Sequence, residues 1–372
     1  MVCIFTDYMK GKFKIVSWFC LLWFAQSCSV PAKQYVWTMG PFDKVNDVNP
    51  ILTSGSGIFF CPVLQREIPW ENKDVFNPAV VVKDSLIYML YRAEDTIGRF
   101  NGTSRIGIAK STDGLNFVRE SSPVFYPEND SMKIFEWEGG IEDPRVVSHP
   151  DGGYIMTYTA YDGKTARLCH AYSSDLYKWI KKGTVLENKY KNLWSKSGAI
   201  VVRRSGNNFI AEKINGYYWM YFGDTNLFLA RSVDLLHWMP IVKNETLLPV
   251  LKPRPNKFDS RLVESGPFAL ISDRGIILLY NGMNLDKGGD PQLPAGAYCA
   301  GQALFSKNNP AELINRTENY FLKPDQPYEI EGQVNQVCFI EGLTRFKSNW
   351  YLYYGTADSR IAVAVSKATE KF

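Results

Sequence analysis

A strand pattern repeated five times constrains the fold of this chain more than any other feature. Each copy opens with a small polar cluster before an apolar strand, at residues 76–80, 142–146, 197–200, 264–268 and 341–343. A second strand rich in alternating aromatic residues follows, at residues 87–92, 154–158, 218–224, 277–282 and 351–355. Short strands with period-two alternation and no long helical pattern between them indicate an all-β fold. Repeats of this kind predict the blades of a five-bladed β-propeller.

Two local features refine this prediction. The last copy ends soon after a third strand at residues 360–366, so we expect its fourth strand to come from residues 57–63. That pairing would remove an exposed sheet edge. In three copies the third strand ends in Ser-x-Asp, where both side chains favour a turn by bonding to nearby backbone; these pairs are Ser111 and Asp113, Ser173 and Asp175, and Ser232 and Asp234.

The composition of the chain limits its possible binding partners and cofactors. With 45% hydrophobic and 22% charged residues, the 372-residue chain has ample material for a core. The net charge of +4 is small and the Lys and Arg residues are scattered, which excludes a nucleic-acid partner. The histidines and cysteines form no metal-binding motif, and Cys169, Cys299 and Cys338 lie in strand-like runs typical of buried hydrophobes. We therefore predict no metal and no cofactor.

The first 28 residues have the order of an export signal. Three lysines from Lys10 to Lys14 precede an apolar run at residues 15–24 and a small-residue stretch before Cys28, and we infer that Met9 is the true start. The run is too short for a transmembrane helix. Cys28 resembles the lipidated cysteine of a bacterial lipoprotein, with simple cleavage or a retained anchor as alternatives. We expect a periplasmic or cell-surface protein, with residues 29–372 as one domain and membrane contact only through Cys28.

Acidic side chains recur at equivalent positions of the repeat. The first strand of a propeller blade lines the central channel, so the residues that open each copy should converge there. The first strands supply Asn77, Asp143, Arg145, Glu264 and Glu341, and the ends of the second strands supply Arg92, Asp95, Asp224 and Asp358. Carboxylates packed together have raised pKa values, which makes one of them a proton donor at neutral pH. Turn capping explains any one of these residues but not their shared position.

Several of these residues lie in longer motifs. The most specific are residues 140–145 (Gly-Ile-Glu-Asp-Pro-Arg), 212–216 (Glu-Lys-Ile-Asn-Gly), 328–332, 339–343 and 353–358. At these motifs the sequence, from Phe76 to its C-terminus, resembles glycoside hydrolase family 130, the mannoside phosphorylases and mannosidases. The resemblance implies a five-bladed propeller that acts on mannosides.

The sequence departs from the family's phosphorylases at two positions. In those enzymes the Asp of the Glu-Asp-Pro-Arg motif is the general acid, and basic residues hold the attacking phosphate. Here Asp224 and Glu264 stand where cations or non-acidic residues are usual. Carboxylates repel phosphate but activate water, so the resemblance implies the family's hydrolytic branch, which cleaves β-1,2-mannosidic linkages with inversion. It implies Asp224 and Glu264 as the acid/base pair, with Asp143 holding a sugar hydroxyl or assisting proton transfer.

The other site residues are predicted to bind the oligosaccharide. Hydrogen bonds to sugar hydroxyls are expected from Asn77, Arg92, Asp95, Arg145, Glu341 and Asp358, and stacking from Tyr280 and Tyr328. Two alternatives stay open. One is an inverting phosphorylase with Asp143 as general acid and a phosphate site formed by Arg145, Lys196 and Lys213. The other is a surface glycan-binding protein without turnover.

Overall fold

The computed structural model describes residues 37–100 and 102–368. Its first elements are a two-residue strand and a hairpin, namely β1 (Asp43–Lys44), β2 (Ile58–Cys61) and β3 (Arg66–Pro69). The β2–β3 hairpin pairs only with itself among the described strands, from Ile58 opposite Pro69 to Cys61 opposite Arg66. Its inward residues Phe59 and Ile68 are buried, so the hairpin covers part of the core.

The first two repeats form antiparallel groups of four strands each. The first group comprises β4 (Asp74–Lys83), β5 (Leu86–Glu94), β6 (Ser104–Ser111) and β7 (Val118–Arg119). A short helix follows, α1 (Lys133–Glu136). The second group comprises β8 (Gly140–Ser148), β9 (Tyr154–Tyr161), β10 (Ala166–Ser173) and β11 (Ile180–Thr184). A 3-10 turn at Asn188–Tyr190 leads to the next repeat.

The remaining repeats form three further groups. The third comprises β12 (Ala199–Ser205), β13 (Asn208–Ala211), β14 (Tyr218–Phe222), β15 (Phe228–Ser232) and β16 (Trp238–Pro240), followed by a hairpin of β17 (Val242–Lys243) and β18 (Thr246–Leu247). The fourth comprises β19 (Leu262–Ser265), β20 (Ala269–Ser272), β21 (Gly275–Met283), β22 (Tyr298–Phe305) and β23 (Leu313–Arg316). After helix α2 (Pro327–Ile330), the fifth comprises β24 (Cys338–Phe346), β25 (Asn349–Thr356) and β26 (Arg360–Lys367).

The all-β prediction is confirmed, and each predicted first or second strand lies in or overlaps an observed one. Short parallel bridges join neighbouring groups, such as Ser104 to Gly140 and Val201 to Ala269. These pairings do not by themselves establish a closed ring of five blades, so the propeller stays a prediction.

The predicted source of the fourth strand in the last group is wrong. Asp43 and Lys44 of β1, rather than residues 57–63, pair with Val365 and Ala364 of β26. The predicted segment instead contains β2, whose backbone hydrogen bonds are satisfied by β3. An N-terminal strand does complete the last sheet, but an earlier one.

The Ser-x-Asp turns form as predicted. In the first, Ser111 Oγ accepts the backbone N–H of Gly114 at 2.8 Å, and Asp113 Oδ1 accepts that of Leu115 at 2.8 Å. The same bonds recur at Ser173 with Asp175 and at Ser232 with Asp234. Local side chains therefore stabilise each of the three turns in the same way.

Irregularities in the first strands direct polar side chains inward. The register of β4 shifts between Phe76 and Pro78, which leaves Asn77 as an extra residue, and the shift in β8 between Glu142 and Arg145 includes Asp143. Both adopt left-handed backbone conformations, with φ of 48° and 49°, which Asn and Asp tolerate better than most residues. In β24 the extra residue is Glu341. Such bulges re-aim side chains and concentrate beside active sites.

The apolar faces of neighbouring groups pack against one another. Phe209 of β13 stacks on Phe268 with ring centroids 4.3 Å apart, and Trp350 of β25 lies 5.7 Å from Phe209. The four cysteines of the described residues are buried and form no disulfide. The prediction that Cys169, Cys299 and Cys338 are buried hydrophobes is therefore confirmed.

The predicted export signal, including Met9 and Cys28, lies outside the described residues. Among residues 37–100 and 102–368, no helix has the length and apolar character to cross a membrane.

Candidate active site

A cavity of about 260 Å³ brings together five of the predicted site residues. They are contributed by β4, β5, β8, β19 and the turn between β25 and β26, and comprise Asn77, Arg92, Asp143, Glu264 and Asp358. The rest of the lining is Lys196, Arg261, Leu262, Met283, Tyr298, Val334, Val337 and Phe339. Polar groups thus converge on one side of an enclosure that also has apolar walls, an arrangement typical of a small-molecule site.

Asp143 is held as a charged carboxylate. Its Oδ1 accepts hydrogen bonds from Asn77 Nδ2 at 2.9 Å and from Arg92 Nη1 at 3.0 Å, and Lys196 Nζ lies 3.6 Å from Oδ2. Burial alone would raise the pKa of Asp143, but Arg92 and Lys196 outweigh it and hold the pKa below its usual range. A carboxylate in this state accepts a sugar hydroxyl more readily than it donates a proton.

Arg92 is fixed on every side. Its Nη2 donates to Glu94 Oε1 at 2.6 Å and to Glu142 Oε1 at 3.1 Å, and its Nε donates to Ser104 Oγ at 2.9 Å. The guanidinium also lies over the Phe76 ring, 4.6 Å from the centroid. The position of the cation beside Asp143 is therefore set before any ligand binds.

Glu264 differs from Asp143 in its proton affinity. It is buried, and burial together with the neighbouring charge of Asp224 raises its pKa to about 7 despite the attraction of Lys196. Ser197 Oγ donates a hydrogen bond to Glu264 Oε1. A carboxyl group with a pKa near neutrality exchanges a proton readily at physiological pH, as a general acid or base must.

Asp224 lies next to the cavity without belonging to its lining. It is half-buried, its Oδ2 accepts the indole N–H of Trp194 at 2.5 Å, and its charge acts on both Glu264 and Lys196. Trp194 is 52% exposed, so this carboxylate stands at the rim, where water can reach it.

Asp358 also has a perturbed proton affinity. Burial and the neighbouring charge of Asp143 raise its pKa to about 7, against the opposing effect of the Arg92 charge. Like Asn77 and Asp143 it has a positive φ, 50°. Asp358 is therefore the third polar side chain, after Asn77 and Asp143, that reaches the cavity from a residue with positive φ.

Lys196 lines the cavity beside its carboxylates, but it was not among the residues predicted for the hydrolytic site. Burial would lower its pKa, but Asp143, Glu264, Glu142 and Asp224, in that order, raise it well above the usual value. This one ammonium thus balances several carboxylates. In the sequence it is one scattered lysine among many, and only its two neighbours, Ser195 and Ser197, hint at a buried polar segment.

Three predicted binding residues do not line the cavity. Asp95 is buried against Arg105, whose Nη1 donates to Oδ2 at 2.6 Å. The Tyr280 hydroxyl donates to Asp259 Oδ2 at 2.7 Å, and the Tyr328 hydroxyl donates to Asn46 Oδ1 at 2.9 Å. The prediction that these side chains meet the others is corrected, because partners distant in sequence engage each of them in the scaffold.

Arg145 and Glu341 also lie outside the lining. Arg145 donates to the carbonyl oxygens of Gly266 at 2.7 Å and Ser265 at 2.8 Å, and its Nη2 lies 3.5 Å from Glu341 Oε2. Burial raises the pKa of Glu341 well above its usual value. Arg145 therefore anchors the segment that carries Glu264, rather than facing the cavity itself.

No metal site is evident in the part of the chain that the structure describes. Across residues 37–100 and 102–368, no group of three or more His, Cys, Asp or Glu side chains is arranged to hold a metal ion. That neither a metal nor a cofactor takes part stays a prediction.

Comparisons with known proteins agree with these motifs. A family model described as beta-1,4-mannooligosaccharide phosphorylase matches residues 49–371. The chain is 31% identical over 315 residues to a 1,2-beta-oligomannan phosphorylase of Thermoanaerobacter sp. (strain X514), covering 82% of this chain and 94% of that protein.

Solved structures are similar over most of their length. A glycosyl hydrolase from Bacteroides ovatus has 44% identity and a TM-score of 0.86, covering 89% of this chain and 96% of that one. Another, described by the words "The GH130 family of mannoside phosphorylases contains glycoside hydrolases that target beta-1,2 mannosidic linkages in Candida mannan", has 41% identity and a TM-score of 0.87, covering 91% and 98%. The family model and these relatives show that the chain belongs to glycoside hydrolase family 130.

Proposed function

We propose that this chain hydrolyses β-mannosidic linkages, with β-1,2 linkages preferred, by an inverting mechanism that uses Asp224 and Glu264. The observation that carries the proposal is the pair of carboxylates beside Lys196, one buried with a pKa of about 7 and one at the rim. A structural relative is described with hydrolases that target β-1,2-mannosidic linkages. Two carboxylates of unequal proton affinity are what glycoside hydrolysis requires.

In this proposal the cavity holds the mannosyl residue whose bond is cleaved. Asn77, Arg92, Asp143 and Asp358 bind its hydroxyls through charge-assisted hydrogen bonds. Glu264 is about half protonated near pH 7 and donates its proton to the leaving oxygen. Asp224, nearer to solvent, takes a proton from the water that attacks the anomeric carbon. Inversion then requires the two carboxyl groups to be about 6.5 to 9.5 Å apart in the complex.

Phosphorolysis is the second candidate, and the similarity to a phosphorylase supports it. Of the three cations proposed for a phosphate site, Lys196 alone belongs to the cavity lining. Arg145 bonds backbone carbonyls, and Lys213 is exposed with its ammonium 4.9 Å from the Tyr218 ring centroid. Arg92 and Arg261 also line the cavity, but a phosphate dianion at Lys196 would lie beside the carboxylates of Glu264 and Asp224, whose repulsion favours water as the nucleophile.

We also propose that the five strand groups are the blades of a closed propeller with this cavity at its axis. Residues at the bulged starts of β4 and β8 both contribute to the lining, and their side chains are hydrogen-bonded to each other. A crystal structure with five separate sheets around one axis would support this, and an open arrangement of the sheets would overturn it.

The test substitutes each carboxylate without changing its shape. Asp224→Asn and Glu264→Gln should each lower kcat on β-1,2-mannobiose by roughly 10²- to 10⁴-fold, because proton transfer in the transition state is lost. The matched control is Glu212→Gln, which removes a surface carboxylate paired with Arg203 and should retain full activity.

A second substrate separates the acid from the base. An aryl β-mannoside with an acidic phenol as leaving group needs little help from a proton donor, so Glu264→Gln should recover much of its rate there and Asp224→Asn should not. Wild-type turnover in both variants would reject Asp224 and Glu264 as the catalytic pair, whereas binding without turnover in the wild type would favour the glycan-binding alternative.

A further inference from the structure

Three aromatic side chains in a row, two of them exposed, begin beside Asp224. Trp194, which donates its indole N–H to Asp224, lies 6.4 Å from Tyr161 between ring centroids, and Tyr161 lies 6.2 Å from Phe100. Trp194 is 52% exposed and Phe100 is 37% exposed. Three rings in contact, two of them open to solvent and one tied to a carboxylate of the site, form an apolar surface of the kind that marks a binding groove.

The surrounding segments hold these rings in place. A side chain at Gly139 would collide with the Tyr161 ring, and one at Gly163 would collide with the Phe100 ring. Arg99 covers Phe100 at 4.5 Å from the ring centroid, and Glu138 lies 3.5 Å from the Arg99 guanidinium. Glu138 Oε1 also accepts the Arg99 backbone N–H at 3.2 Å. The row is therefore supported by interactions beyond the contacts among its own rings.

The position of Asp224 sets the direction of the row relative to the bond to be cleaved. On one side, Asp224 acts electrostatically on Glu264 and Lys196 of the cavity. On the other, it accepts the hydrogen bond from Trp194. If one sugar ring occupies the cavity, the scissile bond lies at the two carboxylates. The rest of the substrate then lies on the side of Trp194.

Resting on the proposed function, we propose that Trp194, Tyr161 and Phe100 bind the leaving-group side of the substrate, and that the substrate is an oligomannoside of three or more residues. Aromatic rings present large rigid apolar faces at low entropic cost, and Tyr and Trp add a polar edge suited to hydroxyls. Phe100 is two ring contacts removed from Trp194, the ring that bonds Asp224. Longer substrates accordingly gain contacts that a disaccharide cannot make.

The test compares chain lengths. For β-1,2-mannobiose, mannotriose and mannotetraose, kcat/KM of the wild type should rise with length. Phe100→Leu and Tyr161→Leu should each lower the tetraose-to-biose ratio of kcat/KM by about three- to tenfold, the loss expected for one aromatic contact. The matched control is Phe60→Leu on β2, which removes an aromatic ring that is 55% exposed and belongs to neither the cavity lining nor the row, and should leave the ratio unchanged.

Trp194 has two roles that substitutions separate. Trp194→Phe keeps an aromatic face but loses the N–H that bonds Asp224, so it should change the pH profile of kcat while retaining most of the length preference. Trp194→Leu should lose both. The wild type and all variants of the row could have the same tetraose-to-biose ratio of kcat/KM while mannobiose is still cleaved. That result would reject the role of the row in substrate binding without contradicting the proposed hydrolysis.

A binding measurement tests the aromatic row even if the protein does not hydrolyse mannosides. If the wild type cleaves no mannoside, mannotetraose is titrated into the protein and the tryptophan fluorescence is followed. A saturable change that Trp194→Leu abolishes would support the row as a sugar-binding surface. No change on saturation with mannotetraose would overturn it.

Discussion

Individual residues of the cavity show how burial and charge compete. Asp143 and Glu264 are both buried carboxyl groups, yet the pKa of the first lies below its usual range and the pKa of the second rises to about 7. The difference arises because Asp143 has Arg92, Lys196 and Asn77 as partners, whereas Glu264 has Lys196 on one side and the charge of Asp224 on the other. Environments that separate the pKa values of two acids assign them different chemical roles.

The first prediction concerns the pH profile. If Glu264 is the acid, its protonated form is active, so kcat/KM should fall as pH rises through its pKa of about 7. Lys196 lowers that pKa, and Lys196→Met should therefore move the alkaline limb to higher pH by about one unit or more while reducing the overall rate. The control is Lys213→Met at an exposed position, which should leave the limb in place. A shift of the limb to lower pH in Lys196→Met would contradict this assignment.

Sequence reasoning predicted the polar ring only in part, and the reason is visible in particular residues. Asn77, Asp143 and Glu264 lie at the first strands of their repeats and Asp358 follows a second strand, and the four do line one cavity. Asp95, which was predicted to join the ring, is bound by Arg105, and Tyr280, which was predicted to stack on a sugar, is bound by Asp259 and Arg316. The local sequence pattern does not reveal these partners. It likewise does not reveal that Lys196 lies beside the carboxylates of the cavity, so Lys196 was omitted from the predicted hydrolytic site.

At the scale of elements, bulges in the first strands bring polar side chains from otherwise apolar strands into the cavity. Asn77 and Asp143 are extra residues in left-handed conformations, and Asn77 Nδ2 bonds Asp143 Oδ1 at 2.9 Å across two strands. Strands and Ser-x-Asp turns follow from local sequence and were predicted well. The bulges, and the pairing of β1 with β26, depend on contacts between distant segments and were not.

The second prediction isolates the backbone strain at Asn77. Asn77→Gly and Asn77→Ala both lose the hydrogen bond to Asp143, but only Gly adopts φ of 48° without a steric penalty from Cβ. Asn77→Gly should therefore be more stable to urea unfolding than Asn77→Ala by about 1 kcal/mol, although Gly also makes the unfolded chain more flexible. Equal or reversed stabilities would mean that the bulge relaxes in the variants.

At the scale of the whole molecule, the N-terminal side of the chain is tied to its C-terminal sheet. β1 pairs with β26, and Lys44 Nζ donates to Glu329 Oε2 and Asp325 Oδ1, each at 2.7 Å. Glu329 is fully buried and also accepts a hydrogen bond from the Tyr354 hydroxyl at 2.9 Å. This contact joins residues separated by most of the chain, so its loss should weaken the closure of the last sheet.

The third prediction measures that closure. Lys44→Met removes the cation from a buried pair and should destabilise the protein by roughly 3 to 5 kcal/mol, since Glu329 is left without its charged partner. The double variant Lys44→Met with Glu329→Gln should recover part of the loss. The control, Lys189→Met in an exposed pair with Glu245, should leave the urea unfolding midpoint nearly unchanged. Similar losses in both lysine variants would show that closure does not depend on Lys44.

The fourth prediction concerns cellular location, which we propose to be outside the cytoplasm through the export signal before Cys28. Expressed from Met9 in a bacterium and labelled with a radioactive fatty acid, the chain should carry label in the membrane fraction. Cys28→Ala should lose the label and leave the membrane fraction, while Cys61→Ala should not. An unlabelled, membrane-free wild type would exclude the lipid anchor.

The proposed hydrolysis is tested most directly by product analysis with purified protein. β-1,2-mannobiose and β-1,4-mannobiose are each incubated with and without inorganic phosphate, and the products are separated and identified. We expect free mannose from the β-1,2 substrate, formed at the same rate in both buffers and lost in Asp224→Asn and Glu264→Gln. Mannose 1-phosphate, formed only when phosphate is present, would contradict it and assign the acid role to Asp143.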